Sequence, residues 1–225
     1  MPDSPIRWVI FDAVGTLIEP TPSVATVYTT IAKQYGSLID EEIVRERFRD
    51  TMNARLSDQT DEAMEYDFWQ RTVAEVIGPT NDDRRCFEEL YEHFAKPSSW
   101  RLKTGAQECV SALVSSGIQL GVASNFDSRL HGILDSVDLL QQLKLRLISS
   151  EIGWRKPARQ FYERVLTDTG VEPSKHLMVG DDHDKDILPA RQLGMRTFHV
   201  SESSSEAAAG SLFQLTDWLR NIDED

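Results

Sequence analysis

Cysteine is nearly absent from this 225-residue chain: Cys86 and Cys109 are the only two. They fit no close metal-ligand spacing, which argues against a zinc site and for two buried thiols in a reducing compartment. Long apolar runs are missing as well. No stretch approaches the roughly 20 apolar residues of a membrane span. Met1-Pro2-Asp3-Ser4-Pro5 shows no basic segment followed by an apolar core. A cytoplasmic protein with no membrane partner is therefore expected. Basic charge is short: 24 Lys and Arg face 37 Asp and Glu, a net charge of −13. With no basic tract, that balance argues against nucleic acid as a partner. There are no internal repeats.

What is present divides into two rhythms. Trp8 to Phe11 is a short apolar run that reads as a buried strand, followed by Asp12, Gly15 and Thr16 in a turn. From Thr21 to Phe94 the pattern is helical. Thr21-Pro22, Asp40, Asp61 and Asn81 look like helix starts, and Gly36, Gly78-Pro79 and Pro97 like stops. The apolar stripes are Val24, Tyr28, Ile31, Tyr35; Val44, Phe48, Met52, Leu56; Tyr66, Trp69, Val73, Val76; and Phe87, Leu90, Tyr91, Phe94. Four short-looped helices imply a small bundle, and stripes at helical spacing are read as core rather than ligand lining. After the linker Pro97-Ser98-Ser99-Trp100, helices and strands alternate. Strands are expected at Ile118–Ala123, Leu145–Ile148, His176–Val179 and Arg196–Val200, with 201–210 as a polar loop. That alternation signals an α/β fold with a parallel sheet and crossover helices. The expected division is a Rossmann-like core of residues 1–19 and 98–225, interrupted by an inserted four-helix cap over 20–97.

Polar signals fall where the strands end: Asp12, Ser124-Asn125, Lys156, and the acids from Asp181 to Asp186. In a parallel sheet these ends face one crevice. Singly, each has an ordinary explanation: turn chemistry for Ser124-Asn125, a solvated lysine before Pro157, a helix-capping acidic loop for Asp181, Asp182, Asp184 and Asp186. Together they offer a nucleophile, hydroxyl and amide donors, a cation, and oxygen ligands for a hard metal, which is the equipment of phosphoryl transfer.

The stretches Phe11-Asp12-Ala13-Val14-Gly15-Thr16-Leu17, Ala123-Ser124-Asn125, Arg155-Lys156-Pro157 and Val179-Gly180-Asp181-Asp182-His183-Asp184-Lys185-Asp186 resemble, in order and spacing, the haloacid dehalogenase-like (HAD) hydrolase superfamily in its helical-cap form. Ser124-Asn125-Phe126-Asp127 with Arg129-Leu130 further resembles an uncharacterised branch of that superfamily found in animals. The resemblance implies an aspartyl-phosphate formed on Asp12, with Ser124 and Lys156 as the other catalytic residues. It implies substrate contacts from Thr16 and Asn125. It also implies Mg²⁺ held by Asp12, the backbone carbonyl of Val14, Asp181 and Asp186. The implied activity is hydrolysis of a small phosphorylated metabolite.

One position departs from the pattern. Most phosphatases of the superfamily carry a second aspartate two residues after the nucleophile; here Val14 stands there and can neither donate nor accept a proton. General acid–base help is worth roughly 10²–10⁴-fold. The enzyme would then use substrates with good leaving groups, or a substitute acid such as His183. Alternatively the chain is a weakened or non-catalytic homologue acting as a binding module, or a 2-haloacid dehalogenase. Asp181 and Asp186 favour phosphate and Mg²⁺ over halide. A phosphonate hydrolase would need a cap lysine, and Lys33 and Lys96 do not stand where that pattern expects one.

Overall fold

The computed structural model describes residues 6–55, 57–201 and 209–222. The readings made for Met1 to Pro5, Leu56 and most of the 201–210 loop lie outside the described residues. The chain starts in β1 (Trp8–Phe11), whose last three residues are buried. It turns through Gly15, at φ 96°, into β2 (Ile18–Pro20). A Cβ at position 15 would overlap the Asp181 carboxylate, so the turn needs glycine for space as well as for φ.

Four helices follow: α1 (Val24–Gln34), α2 (Glu41–Asn53), α3 (Glu62–Ile77) and α4 (Asp83–His93). Asp40 and Asp61 cap α2 and α3, accepting from Glu42 N and Met64 N. Two starts differ from the sequence reading. Ser23, not Thr21, caps α1, because Thr21 N still donates to Ser99 O at 2.8 Å. Asp82, not Asn81, caps α4. The helices share an apolar cluster of their own, built on Val27, Tyr28, Ile31, Val44, Val76 and Phe87.

The chain returns through β3 (Trp100–Leu102), which pairs antiparallel with β2, Ile18 opposite Leu102. The linker expected near Trp100 is thus partly strand. Next come α5 (Ala106–Ser115), β4 (Gln119–Ser124), α6 (Arg129–Asp135), β5 (Leu145–Ile148), α7 (Ser149–Ile152) and α8 (Arg159–Thr169). Then follow β6 (His176–Gly180), a π-helical turn (His183–Ile187), α9 (Leu188–Gln192), β7 (Arg196–Val200), β8 (Ala209–Gly210) and α10 (Leu212–Ile222).

The main sheet has the order β5-β4-β1-β6-β7-β8, and each of its pairings is parallel. Val9, Phe11, Leu120 and Val122 pack into one apolar layer, and Ile10, Ala123, Leu147 and Met178 into another. Strands buried on both faces read as continuous apolar runs, as these do. β1 lies at the centre, with β4 on one side and β6 on the other, so their carboxyl ends open one crevice where the strand order reverses. Among the described residues, no helix is long and apolar enough to cross a membrane.

Candidate active site

Asp12 directly follows β1, held there by Asp12 N donating to Val179 O at 2.8 Å. Its carboxylate accepts from Lys156 Nζ at 2.7 Å, and the same ammonium donates to Asp186 at 2.6 Å. All three side chains are buried. Lys156 reaches this place because Asn125, past the end of β4, brackets its backbone: the Asn125 amide donates to Lys156 O at 2.8 Å and accepts from Lys156 N at 2.7 Å. Ser124, the last residue of β4, is buried and lines the same cavity.

The acids beyond β6 separate into three roles. Asp181 opens onto the cavity and accepts from the Thr16 hydroxyl at 3.2 Å. Asp186 is brought back by the π-helical turn, its N donating to Asp182 O at 2.8 Å. The close return needs Gly180, where a Cβ would collide with the Asp186 carboxylate. Asp182 caps the turn, accepting from Asp184 N and Lys185 N, and Asp184 faces outward. Oxygen atoms of Asp12, Asp181 and Asp186 lie within 4.8 Å of one another.

Burial raises the Asp12 carboxyl above its ordinary range; Lys156 opposes this and Asp181 adds to it. Burial likewise pushes Asp186 up to about 6, against the pull of Lys156. Asp181 is raised by desolvation and then by Asp186. Burial alone would lower Lys156, but Asp12 and Asp186 outweigh it and hold the ammonium charged. One cation thus faces three carboxylates, which is the charge imbalance a divalent ion corrects.

The cavity between sheet and helices is about 340 Å³. Asp12, Val14, Ser124, Lys156, Asp181 and Asp186 form its floor. From the helical side Tyr28 and Trp69 line it; Arg45, Arg49 and Tyr66 do not. Neither Lys33, Lys96 nor His183 lines it. His183 packs its ring 5.8 Å from that of His199 and contacts Asp184. Thr16 is fully buried against Asp181, and Asn125, although it reaches the cavity, spends its amide on Lys156.

A family profile described as haloacid dehalogenase-like hydrolase matches residues 6–194, which include every residue of the cavity floor. The chain belongs to the haloacid dehalogenase-like hydrolase family. It is 27% identical over 206 residues to the bovine haloacid dehalogenase-like hydrolase domain-containing protein 3, covering 87% of this chain and 82% of that one. Among solved structures, a HAD phosphatase from Thermococcus onnurineus superposes with a TM-score of 0.68 at 21% identity, over 95% of this chain and 98% of that one. A 2-haloacid dehalogenase from Pseudomonas syringae pv. Tomato DC3000 superposes with 0.61 at 20% identity, over 96% and 99%. At these identities the likeness is one of fold, and it is shared by phosphatases and dehalogenases alike.

Within this HAD-like hydrolase, several groups around the site carry weak or no sequence signals. Glu65, in the first turn of α3, belongs to no motif, yet it is buried with Arg55 at 2.6 Å and the Thr60 hydroxyl at 2.6 Å. Arg155, beside Lys156 in the motif, points to the same carboxylate at 3.8 Å, and burial lowers its guanidinium to about 10. Arg129 forks onto Asp127 at 2.7 Å, donates to Tyr91 O at 2.9 Å and covers the Tyr91 ring at 3.6 Å. Lys103, leaving β3, donates to Gly15 O at 2.7 Å and braces the turn after Asp12.

Proposed function

We propose that this HAD-like hydrolase cleaves a small phosphate monoester through an aspartyl-phosphate on Asp12, with Mg²⁺ as cofactor. One observation carries the reading: a buried lysine pinned between two carboxylates, with a third carboxylate completing a cluster within 4.8 Å. The donor set fits the ion. It is all hard oxygen, with no thiolate or imidazole in the cluster, and its carboxyls are raised by burial and by one another. Asp12, Asp181, Asp186 and the carbonyl of Val14 would hold the metal. Bound there, Mg²⁺ would neutralise charge on the phosphoryl oxygens.

The protein's own groups then divide the work. Lys156 keeps Asp12 ionised and aimed, and offsets charge on the phosphoryl group. The Ser124 hydroxyl donates to a phosphoryl oxygen. An Asp12 oxygen attacks phosphorus and the bond to the leaving oxygen breaks, splitting one hard displacement into two. Water then cleaves the aspartyl-phosphate. Residues 20–97 act as a cap that excludes water and selects the small-molecule substrate over a core of 1–19 and 98–225. Two free buried thiols are in keeping with a cytoplasmic setting.

Val14 favours a second reading, a weakened or non-catalytic homologue that binds without turnover; dehalogenation ranks third, since the acid cluster suits phosphate better than halide. The test is a panel of phosphate esters, acyl phosphates and 2-haloacids, each with and without Mg²⁺. Metal-dependent phosphate release, abolished in Asp12→Asn, supports the first reading. Binding without turnover supports the second, and metal-independent halide release the third.

A further inference from the structure

Above the polar floor the cavity changes character. Tyr28, Phe48, Trp69, Phe87, Tyr91 and Phe94 line it from the helical side. They are packed against one another rather than loosely gathered. Tyr28 meets Phe48 edge-on at 5.7 Å, Phe48 stacks on Trp69 at 6.3 Å with 23° between planes, and Phe87 lies 5.5 Å from Tyr91. From the sheet side Trp100 and Phe126 continue the wall, their centroids 5.9 Å apart. The charged residues of the helical wall, Arg55 and Glu65, are closed on each other through two hydrogen bonds. Apart from Arg155 and the Tyr28 and Tyr91 hydroxyls, this wall offers a polyol or sugar mainly aromatic faces, which cannot pair most of its hydroxyls. An apolar ring would instead gain face and edge contacts with these rings beyond the burial of its own surface. The volume, about 340 Å³, is near the lower end of small-ligand sites, roughly 300–1,000 Å³.

A second, independent observation concerns the leaving oxygen. Val14 offers it no proton. Glu65 is occupied by Arg55 and Thr60, and Asp182 by Lys185 and two backbone amides. The remaining carboxyls of the cavity, Asp12, Asp181 and Asp186, form the cluster already assigned to nucleophile and metal. No carboxyl lining the cavity is thus free to protonate the leaving oxygen, which favours a leaving group that is stable as an anion. A phenolate is such a group, with a pKa of about 10 like that of tyrosine; an alkoxide is not.

We propose that the substrate is an aryl phosphate, the monophosphate ester of a compact phenol whose ring packs into the aromatic wall while its phosphate meets Asp12. The proposal rests on the phosphatase reading above. In the step, Asp12 oxygen bonds to phosphorus while the bond from phosphorus to the aryl oxygen breaks. The electron pair leaves on the phenolate, which takes its proton from solvent. Water then attacks the aspartyl-phosphate, releasing phosphate and a proton and restoring the carboxylate.

The full chain with saturating Mg²⁺ should be assayed on four compounds: phenyl phosphate, benzyl phosphate, glucose 6-phosphate and acetyl phosphate. Benzyl phosphate and glucose 6-phosphate both leave as alkoxides, so their ratio reads the wall alone; kcat/KM should favour benzyl by about tenfold or more. Phenyl over benzyl reads the missing acid and should reach about a hundredfold. Phe48→Leu and Trp69→Leu should each lower kcat/KM for phenyl phosphate about tenfold, and by clearly more than they lower it for acetyl phosphate, which carries no ring. Should either variant misfold, binding supplies the same test in the unaltered protein. Phenylphosphonate should quench the fluorescence of Trp69 and Trp100 at concentrations at least about tenfold below those needed of methylphosphonate. Glucose 6-phosphate turned over as well as benzyl phosphate, or methylphosphonate bound as tightly as phenylphosphonate, would overturn the aryl assignment and leave the phosphatase reading standing. No phosphate from any compound, acetyl phosphate included, would overturn both.

Discussion

Val14 lines the cavity floor with Asp12 and stands where the family pattern places a second aspartate. Val14→Asp should therefore raise turnover of benzyl phosphate at least about tenfold, equivalent to about 1.4 kcal/mol of barrier. Phenyl and acetyl phosphate should change by less than about threefold, because their leaving oxygens need little protonation. Equal alkyl activity in a folded variant that still binds Mg²⁺ would mean that the missing acid is not limiting. Asp181 tests the charge imbalance. Among three clustered carboxylates facing one ammonium, removing one charge should stabilise the metal-free protein. Asp181→Asn keeps an acceptor for Thr16, so in chelator its melting temperature should rise by about 2–4 °C, near 1 kcal/mol. Mg²⁺ should then stabilise the wild type more than the variant. A variant that melts lower in chelator and responds equally to Mg²⁺ would remove the case for Asp181 as a ligand.

At the level of elements, the helical insert is tied to the sheet by a short strap rather than by the β2–β3 stalk alone. Glu62, in the first turn of α3, accepts from Ser128 N and the Ser128 hydroxyl, both at 2.9 Å, and from the Ser150 hydroxyl. Thr60 N donates to Gly153 O at 3.2 Å and Arg155 N to Asp58 O at 2.7 Å. These contacts join the aromatic wall to the segment carrying Lys156. Glu62→Ala should loosen that join and raise KM for phenyl phosphate about threefold to tenfold with little change in kcat, since it touches no reacting atom. Faster amide exchange across 58–62 and 149–155 should accompany it; an unchanged KM with unchanged exchange would show that the strap does not control closure. Sequence signals resolved these elements unevenly. The capping aspartates of α2 and α3 and the glycine stops mark helices by local chemistry. β2 and β3 were not legible, being three residues each and stabilised by pairing across the whole insert.

For the whole molecule, stability should carry a histidine signature. His176 is fully buried in β6, its ring nitrogens against the Thr169 hydroxyl at 2.7 Å and Glu172 O at 3.0 Å. Burial holds its pKa below the ordinary value of about 6.5. Below that pH the unfolded chain binds more protons than the fold does, so this contribution to stability is present above about 6.5 and is lost as pH falls through it. The raised carboxyls of Asp12, Asp181 and Asp186 act with the opposite sign, weakening the fold as pH rises. Comparison with His176→Gln separates the two. The stability advantage of wild type over the variant, from urea unfolding, should shrink between about pH 8 and about pH 5; a constant advantage would refute the assignment.

The sequence by itself determined the α/β alternation, the run of four helices after the first strand and the four groups of polar residues at the strand ends. Each depends on local facts: a period of apolar residues, a cap, a glycine, an acid just past a strand. The tertiary structure decided which of those residues work together. It drew Asp181 and Asp186 into the cluster and left Asp182 capping the turn at the cavity and Asp184 exposed, a choice made by the π-helical turn and the space at Gly180. It committed Asn125 to the backbone of Lys156 and Thr16 to Asp181. It also gave the aromatic stripes both of the roles weighed for them. Tyr28 and Phe87 are buried in the helical core and line the cavity at once. Helical spacing shows which residues share a face; what that face meets depends on how the insert packs over the sheet, through contacts between residues far apart in the chain.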